Sequence, residues 1–251
     1  MKGIHYLFVH PQMKKMLFLS VCLIIVLTSN AQSSSNAYSA WEATVGANRG
    51  QFLGTASNIN YINDAKFKIG IALRLNTFVA KDKQFSTAPA RLTSGVVGPQ
   101  AMFRPNILEN IDTLNVPKIV THSVNLAVFF EYAIDDNLGV GFDIDLLGFT
   151  LGGSQTVNLY EPLEGVSTTT AKPTRFNLLL VSDNDIGTLN SELYGRYIFD
   201  NSDFYGKAGV SFYFSEITTD KALWLNNKRF RHKTPLTPLL GVGYLAPTST
   251  F

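Results

Sequence analysis

The chain has 251 residues, 45% of them hydrophobic and 16% charged, where about a quarter charged is usual for a soluble protein. Lys and Arg number 21 against 19 Asp and Glu, a net charge of +2, so there is no basic field for nucleic acid. With 18 Phe and 10 Tyr the chain is neither disordered nor collagen-like, and it is long enough to bury a sizeable interior.

At the front, Lys14 and Lys15 precede an apolar run over 16–27, followed by Thr28, Ser29, Asn30 and Ala31. A basic start, a short apolar stretch and a small-residue exit predict a secretory signal peptide over 1–31, with Met13 as the true start. The run is too short for a membrane-crossing helix, which takes about twenty residues. Val21 before Cys22 is too large for a lipidation site. Removing 1–31 takes Lys2, Lys14, Lys15 and the single cysteine, leaving 18 basic against 19 acidic residues and excluding disulfides and thiolate metal sites.

After a short linker at 32–37, period-two alternation recurs, which is the strand signal. Segment 38–49 sets Trp41, Ala43, Val45 and Ala47 against Glu42, Thr44, Gly46 and Asn48. Segment 51–62 is weaker. In 66–77, Phe67, Ile69, Ile71, Leu73 and Leu75 oppose Lys66, Lys68, Gly70, Ala72, Arg74 and Asn76. Segment 119–134 opposes Val124, Val128, Phe130 and Tyr132 to Ser123, Asn125 and Glu131, and 138–146 opposes Val140, Phe142 and Ile144 to Gly141, Asp143 and Asp145. Gly148 then suggests a bulge. Segment 186–199 shows Leu193 and Tyr197 against Glu192 and Arg196; 204–214 shows Phe204, Ala208, Val210 and Phe212 against Tyr205, Lys207 and Ser211; 235–246 completes eight strands. The connections alternate between tight turns at 63–65, 135–137 and 200–203 and long loops at 81–118, 154–185 and 220–234, rich in Pro, Thr, Ser and Asn.

The leader, the repeated alternation over about 38–246 and the unequal loops resemble the small outer-membrane β-barrel proteins, such as the membrane domain of outer-membrane protein A. The resemblance implies an all-β fold: a closed antiparallel up-and-down transmembrane β-barrel of eight strands in the bacterial outer membrane, occupying 38–251. Elementary physics agrees, because a sheet in lipid must close to pair its backbone groups, with its apolar face outward. The strands, about 12–16 residues long, exceed the globular average and suit a tilted crossing. A secreted lipocalin-like ligand carrier is the soluble alternative.

This register points Glu42, Lys66, Lys68, Arg74, Glu131, Asp143, Asp145, Glu192, Arg196 and Lys207 into the lumen, five of each sign. A barrel of that size has room only for its own side chains, so the expected state is a charge-paired plug. Asp143 and Asp145 could instead form an acid–base pair or a calcium site, but neutralising the lumen bases is the simpler role. His122 and Ser123 invite comparison with the lipid A deacylases, whose motif is His-x-Ser-Asn. Here the order is His122, Ser123, Val124, Asn125, and adjacent strand residues face opposite ways. In the last long loop Lys228, Arg229, Arg231 and Lys233 are candidate contacts for lipopolysaccharide or an extracellular ligand. No phosphate-loop pattern, metal site or cofactor is expected, and nucleic acid is not a partner. The function expected is non-enzymatic, in envelope structure or surface binding, with a small-solute or apolar-ligand channel and a lipid-modifying barrel enzyme as alternatives.

Overall fold

A computed structural model describes residues 38–62, 66–161, 165–182 and 184–246. The leader, the linker and the C-terminal tail past 246 lie outside the described residues. The first two strands, β1 (Tyr38–Asn48) and β2 (Gln51–Tyr61), are joined by Arg49 and Gly50 at φ 45° and 74°. Two successive left-handed residues make the tight turn whose twist matches a hairpin, which is why so short a link works here. Then come β3 (Phe67–Thr87), β4 (Thr113–Ala133), β5 (Leu138–Leu151), β6 (Gln155–Glu161), β7 (Gly165–Pro173), β8 (Phe176–Leu178), β9 (Leu189–Ile198), β10 (Phe204–Thr219), β11 (Arg229–Lys233) and β12 (Thr237–Ala246). A short α-helix, α1 (Ala90–Thr93), sits in the β3–β4 connection.

Antiparallel pairing runs from β1 through β2, β3, β4, β5, β9, β10 and β12 and returns from β12 to β1, so the sheet closes on itself. At the end with tight turns, the Leu138 and Asn137 N–H groups donate to the Asp135 carboxylate at 2.7 and 2.9 Å, holding its pKa below the ordinary value.

The expected long loops contain strands. β3 and β4 both run far into 81–118, β6, β7 and β8 fall within 154–185, and β11 within 220–234. These additions close a second ring above the first: β3, β4, β6, β7, β10 and β11, with β11 returning to β3 through Phe230 opposite Thr87. The sequence concealed this because Asp82 adopts a left-handed φ of 50°, breaking the alternation where the two rings meet. The phase slip in β5 occurs at Leu146, since Asp145 pairs with Ala127 and Leu147 with Leu126. Gly148 remains in register opposite Asn125.

The two rings have opposite polarity. In the first, Trp41, Leu75, Leu193, Phe212, Leu240 and Val242 are exposed on the outside, while Arg74, Asp143 and Glu131 are fully enclosed. Four of its outer aromatics meet at the tight-turn end, where Phe204 lies 5.1 Å from Tyr244 and Tyr197 6.1 Å from Phe199. In the second ring the inside is apolar: Phe78, Phe85, Leu114, Val116, Val157, Leu159, Ile217 and Phe230 form one buried cluster. Exposed Lys81 and Lys118 lie directly opposite each other where the outer apolar belt ends.

Candidate functional site

The lumen of the first ring is filled in layers. At the tight-turn mouth Tyr38 stacks on Tyr61 at 4.6 Å, and the half-buried Lys68 ammonium lies over the Tyr38 ring at 5.2 Å. Next, Arg196 pairs with Glu131 at 2.5 Å and lies 5.1 Å from the Tyr205 ring. In the middle, Lys207 reaches Glu42 and Glu192, each at 2.7 Å, and Asp143 at 3.3 Å, with its ammonium 3.8 Å from the Tyr194 ring centre. Above it Arg74 bridges Asp143 at 2.6 Å and Asp145 at 3.3 Å.

Arg74, Arg196 and Lys207 are buried with five carboxylates, those of Glu42, Glu131, Asp143, Asp145 and Glu192. Neutral donors satisfy the acidic excess, as buried charge requires. Asp145 accepts from the Asn125 amide at 2.6 Å, the Asn76 amide at 3.1 Å and the Asn190 backbone N–H at 2.9 Å. Asn190 donates its amide to Glu192 at 2.8 Å, and the Tyr205 hydroxyl donates to Glu42 at 3.0 Å. Asn177, delivered by β8, donates to Asn125 at 2.7 Å. Above these amides the apolar cluster of the second ring begins, with Phe78 against Tyr213 at 4.7 Å. Charge network and apolar core thus follow one another along a single axis.

Of the ten lumen charges expected from periodicity, eight are buried inside and Lys68 is half-buried at the mouth. Lys66 is a correction. It precedes β3, where strand alternation no longer governs it, and its exposed ammonium lies 5.9 Å over the outward Tyr132 ring. Alternation turns Tyr205 and Asn190 inward without assigning either a role; Tyr61, Tyr194 and Asn177 are not singled out by that pattern.

Two of these tyrosines need glycine on the neighbouring strand. A Cβ on Gly243 would collide with the Tyr205 ring, and one on Gly141 with Tyr194. Gly243→Ala is expected to cost about 1–3 kcal/mol by overpacking and to loosen Tyr205 from Glu42; a lowered urea midpoint for unfolding checks it.

The basic run in β11 also needs correcting. Arg229 binds Glu216 with Nε and Nη2, both at 2.8 Å, and Arg231 adds a third bond at 3.0 Å. Both guanidiniums also donate to the Asp185 carbonyl, and the Gly187 N–H donates to Glu216 at 3.2 Å. These residues sit on the face of β10 and β11 opposite Ile217 and Phe230, against Asp185 and Gly187 of the strap between β8 and β9, and both guanidiniums are engaged within the fold. Lys228 and Lys233 stay exposed. Glu216 escaped notice because it lies beyond 214, where the sequence pattern for that strand ends.

His122 and Ser123 take opposite faces. Ser123 is buried in the lumen, whereas His122 is exposed on the outer wall, its Nδ1 3.0 Å from the Thr77 hydroxyl. Among the described residues no cluster of His, Cys, Asp and Glu could hold a metal, and no helix is long and apolar enough to cross a membrane.

No protein-family model matches the chain, and no curated protein does. Among solved structures it is similar to the crystal structure of Neisserial surface protein A (NspA), with a TM-score of 0.39 and 10% identity over 85% of this chain and 99% of that one.

Proposed function

We propose that this chain is a bacterial outer-membrane protein whose first ring is a sealed anchor in the bilayer and whose second ring is a rigid extracellular turret. Its work is structural or adhesive, with neither transport nor catalysis. The observation that carries this reading is the change of polarity along one axis: apolar outside and ionic inside, then apolar inside. Only lipid around the first ring and water around the second make both arrangements favourable. The signal-peptide pattern at 1–31 supports export, and Lys81 and Lys118 suit the headgroup level at which the belt ends. A water path would have to displace both the ion-paired layers and the apolar core above them. The separation of His122 from Ser123 argues against a lipid hydrolase built on that pair.

Lys228 and Lys233, both exposed, are the candidate cation contacts for lipopolysaccharide or another surface ligand. The purified protein in planar bilayers is expected to give no steady single-channel current, and open-state conductance would overturn the sealed-anchor reading.

A further inference from the structure

On β3 and β4 the second ring is polar outside, with Lys81, Asp82, Gln84 and Lys118 exposed on its wall. The β3–β4 connection breaks that rule. Phe103 is 83% exposed, Leu108 78% and Val97 70%, with Met102 and Ile107 also exposed. Isolated apolar residues on a surface mean little, but five within one short segment form a patch that marks a contact.

The segment is held firmly. Ile107 N–H donates to the Thr93 carbonyl at 2.6 Å, the Asn110 amide to the Leu92 carbonyl at 2.8 Å, and Arg91 N–H to the Asn184 side chain at 2.9 Å. It also lies back along the outside of the wall. A cleft of about 580 Å³ separates it from β3, lined by Asp82, Gln84 and Ser86 on one side and Pro89, Thr93 and Asn106 on the other. From Thr87, where the connection leaves β3, down to Asp82 is about 17 Å along a strand rising roughly 3.3 Å per residue. Asp82 is next to Lys81, where the apolar belt ends, so the cleft that the segment lines extends to the level of the belt's upper edge. The segment's exposed charges are Arg91, Arg104 and Glu109, a cationic excess suited to lipid phosphates.

We infer that the 94–110 segment is a second membrane contact, resting Val97, Met102, Phe103 and Leu108 in the outer-leaflet boundary between headgroups and acyl chains, with Arg91 and Arg104 on lipid phosphates. The inference depends on the membrane reading above. Continuity with the belt and the two arginines favour lipid as the occupant over a protein partner. A rigid apolar segment gains by interfacial insertion without first having to be ordered.

The test uses the full chain with Cys22→Ser and single cysteines at Phe103→Cys, Leu108→Cys, Leu240→Cys and Lys228→Cys. Each carries an environment-sensitive fluorophore, in phosphatidylcholine–phosphatidylglycerol vesicles containing lipid nitroxide-labelled high on the acyl chain. Heat-modifiable gel mobility checks that every variant is folded. The expected result is that labels at 103 and 108 are quenched by the nitroxide and shielded from iodide. The label at 240 should be lipid-quenched and the one at 228 iodide-quenched. Lipid quenching at 240 with iodide quenching at 103 and 108 would overturn the inference and leave the membrane reading standing; loss of quenching at 240 would overturn both. Labels at 103 and 108 shielded from both quenchers would mean a protein covers the patch, and would also overturn it. Arg91→Gln with Arg104→Gln should weaken the nitroxide quenching, and unchanged quenching would overturn the role of the arginines.

Discussion

Replacing Arg74 with methionine is expected to destabilise the barrel by about 3–5 kcal/mol, the usual cost of removing one partner from a buried ion pair. Arg74 is fully buried and bridges Asp143 and Asp145, neither of which has any exposure. Without it, Asp143 keeps only its longer 3.3 Å bond to Lys207, and Asp145 depends on the amides of Asn76 and Asn125 and the Asn190 N–H. Coulombic attraction is lost while the desolvation of the carboxylates remains, so the loss exceeds that of an exposed pair several-fold. Arg74→Lys keeps the charge but not the planar fork that reaches two carboxylates, and should lie between methionine and the parent. Adding Asp145→Asn to Arg74→Met should restore part of the loss, because residues in one network do not add independently. Urea unfolding in lipid vesicles measures each variant. A loss below about 1 kcal/mol for Arg74→Met would show that the lumen is hydrated enough to screen the pair.

How far this network was legible in the sequence depends on the kind of information each contact needs. That Arg74, Glu131, Asp143, Glu192, Arg196 and Lys207 share one face follows from strand periodicity, a local property. Which acid meets which base is not local. Lys207 and Glu42 are 165 residues apart and meet only because the ring closes through β12 and β1. Lys66 fails for the same reason in miniature, since periodicity stops at the strand end and Lys66 is just beyond it. The second ring was hidden by composition. Its β7 is rich in Thr and Ser, which reads as loop, yet threonine is β-branched and pairs well once β6 and β10 flank it. The basic run in β11 reads as a solvated face because the buried carboxylate it meets, Glu216, stands on another strand. Local charge density has no means of registering a buried carboxylate across the sheet.

That carboxylate is the basis of the second large effect. Glu216→Ala is expected to release the strap and fray the upper ring while leaving the lower ring intact. Glu216 has no exposure and receives bonds from Arg229, Arg231 and the Gly187 N–H, so it ties β10, β11 and the 179–188 strap together. Its removal takes from the buried Arg231 guanidinium, 4% exposed, the Glu216 carboxylate 3.0 Å away, again a loss of about 3–5 kcal/mol. The loss is local because the two rings share only β3, β4 and β10. β11 closes the upper ring and is held by five residue pairs to β10 and two to β3. Such a strand opens before one in the lower ring, where β3 and β4 pair over almost their whole length. Limited trypsin digestion in vesicles should therefore cut near Arg229 and Arg231 in the variant and spare them in the parent, with heat-modifiable mobility retained by both. Glu216→Gln keeps acceptor oxygen but not charge, and should cut at an intermediate rate. Equal digestion of parent and variant would mean that the apolar cluster around Ile217 and Phe230 holds β11 by itself; loss of heat-modifiable mobility would mean that the two rings fold as one unit.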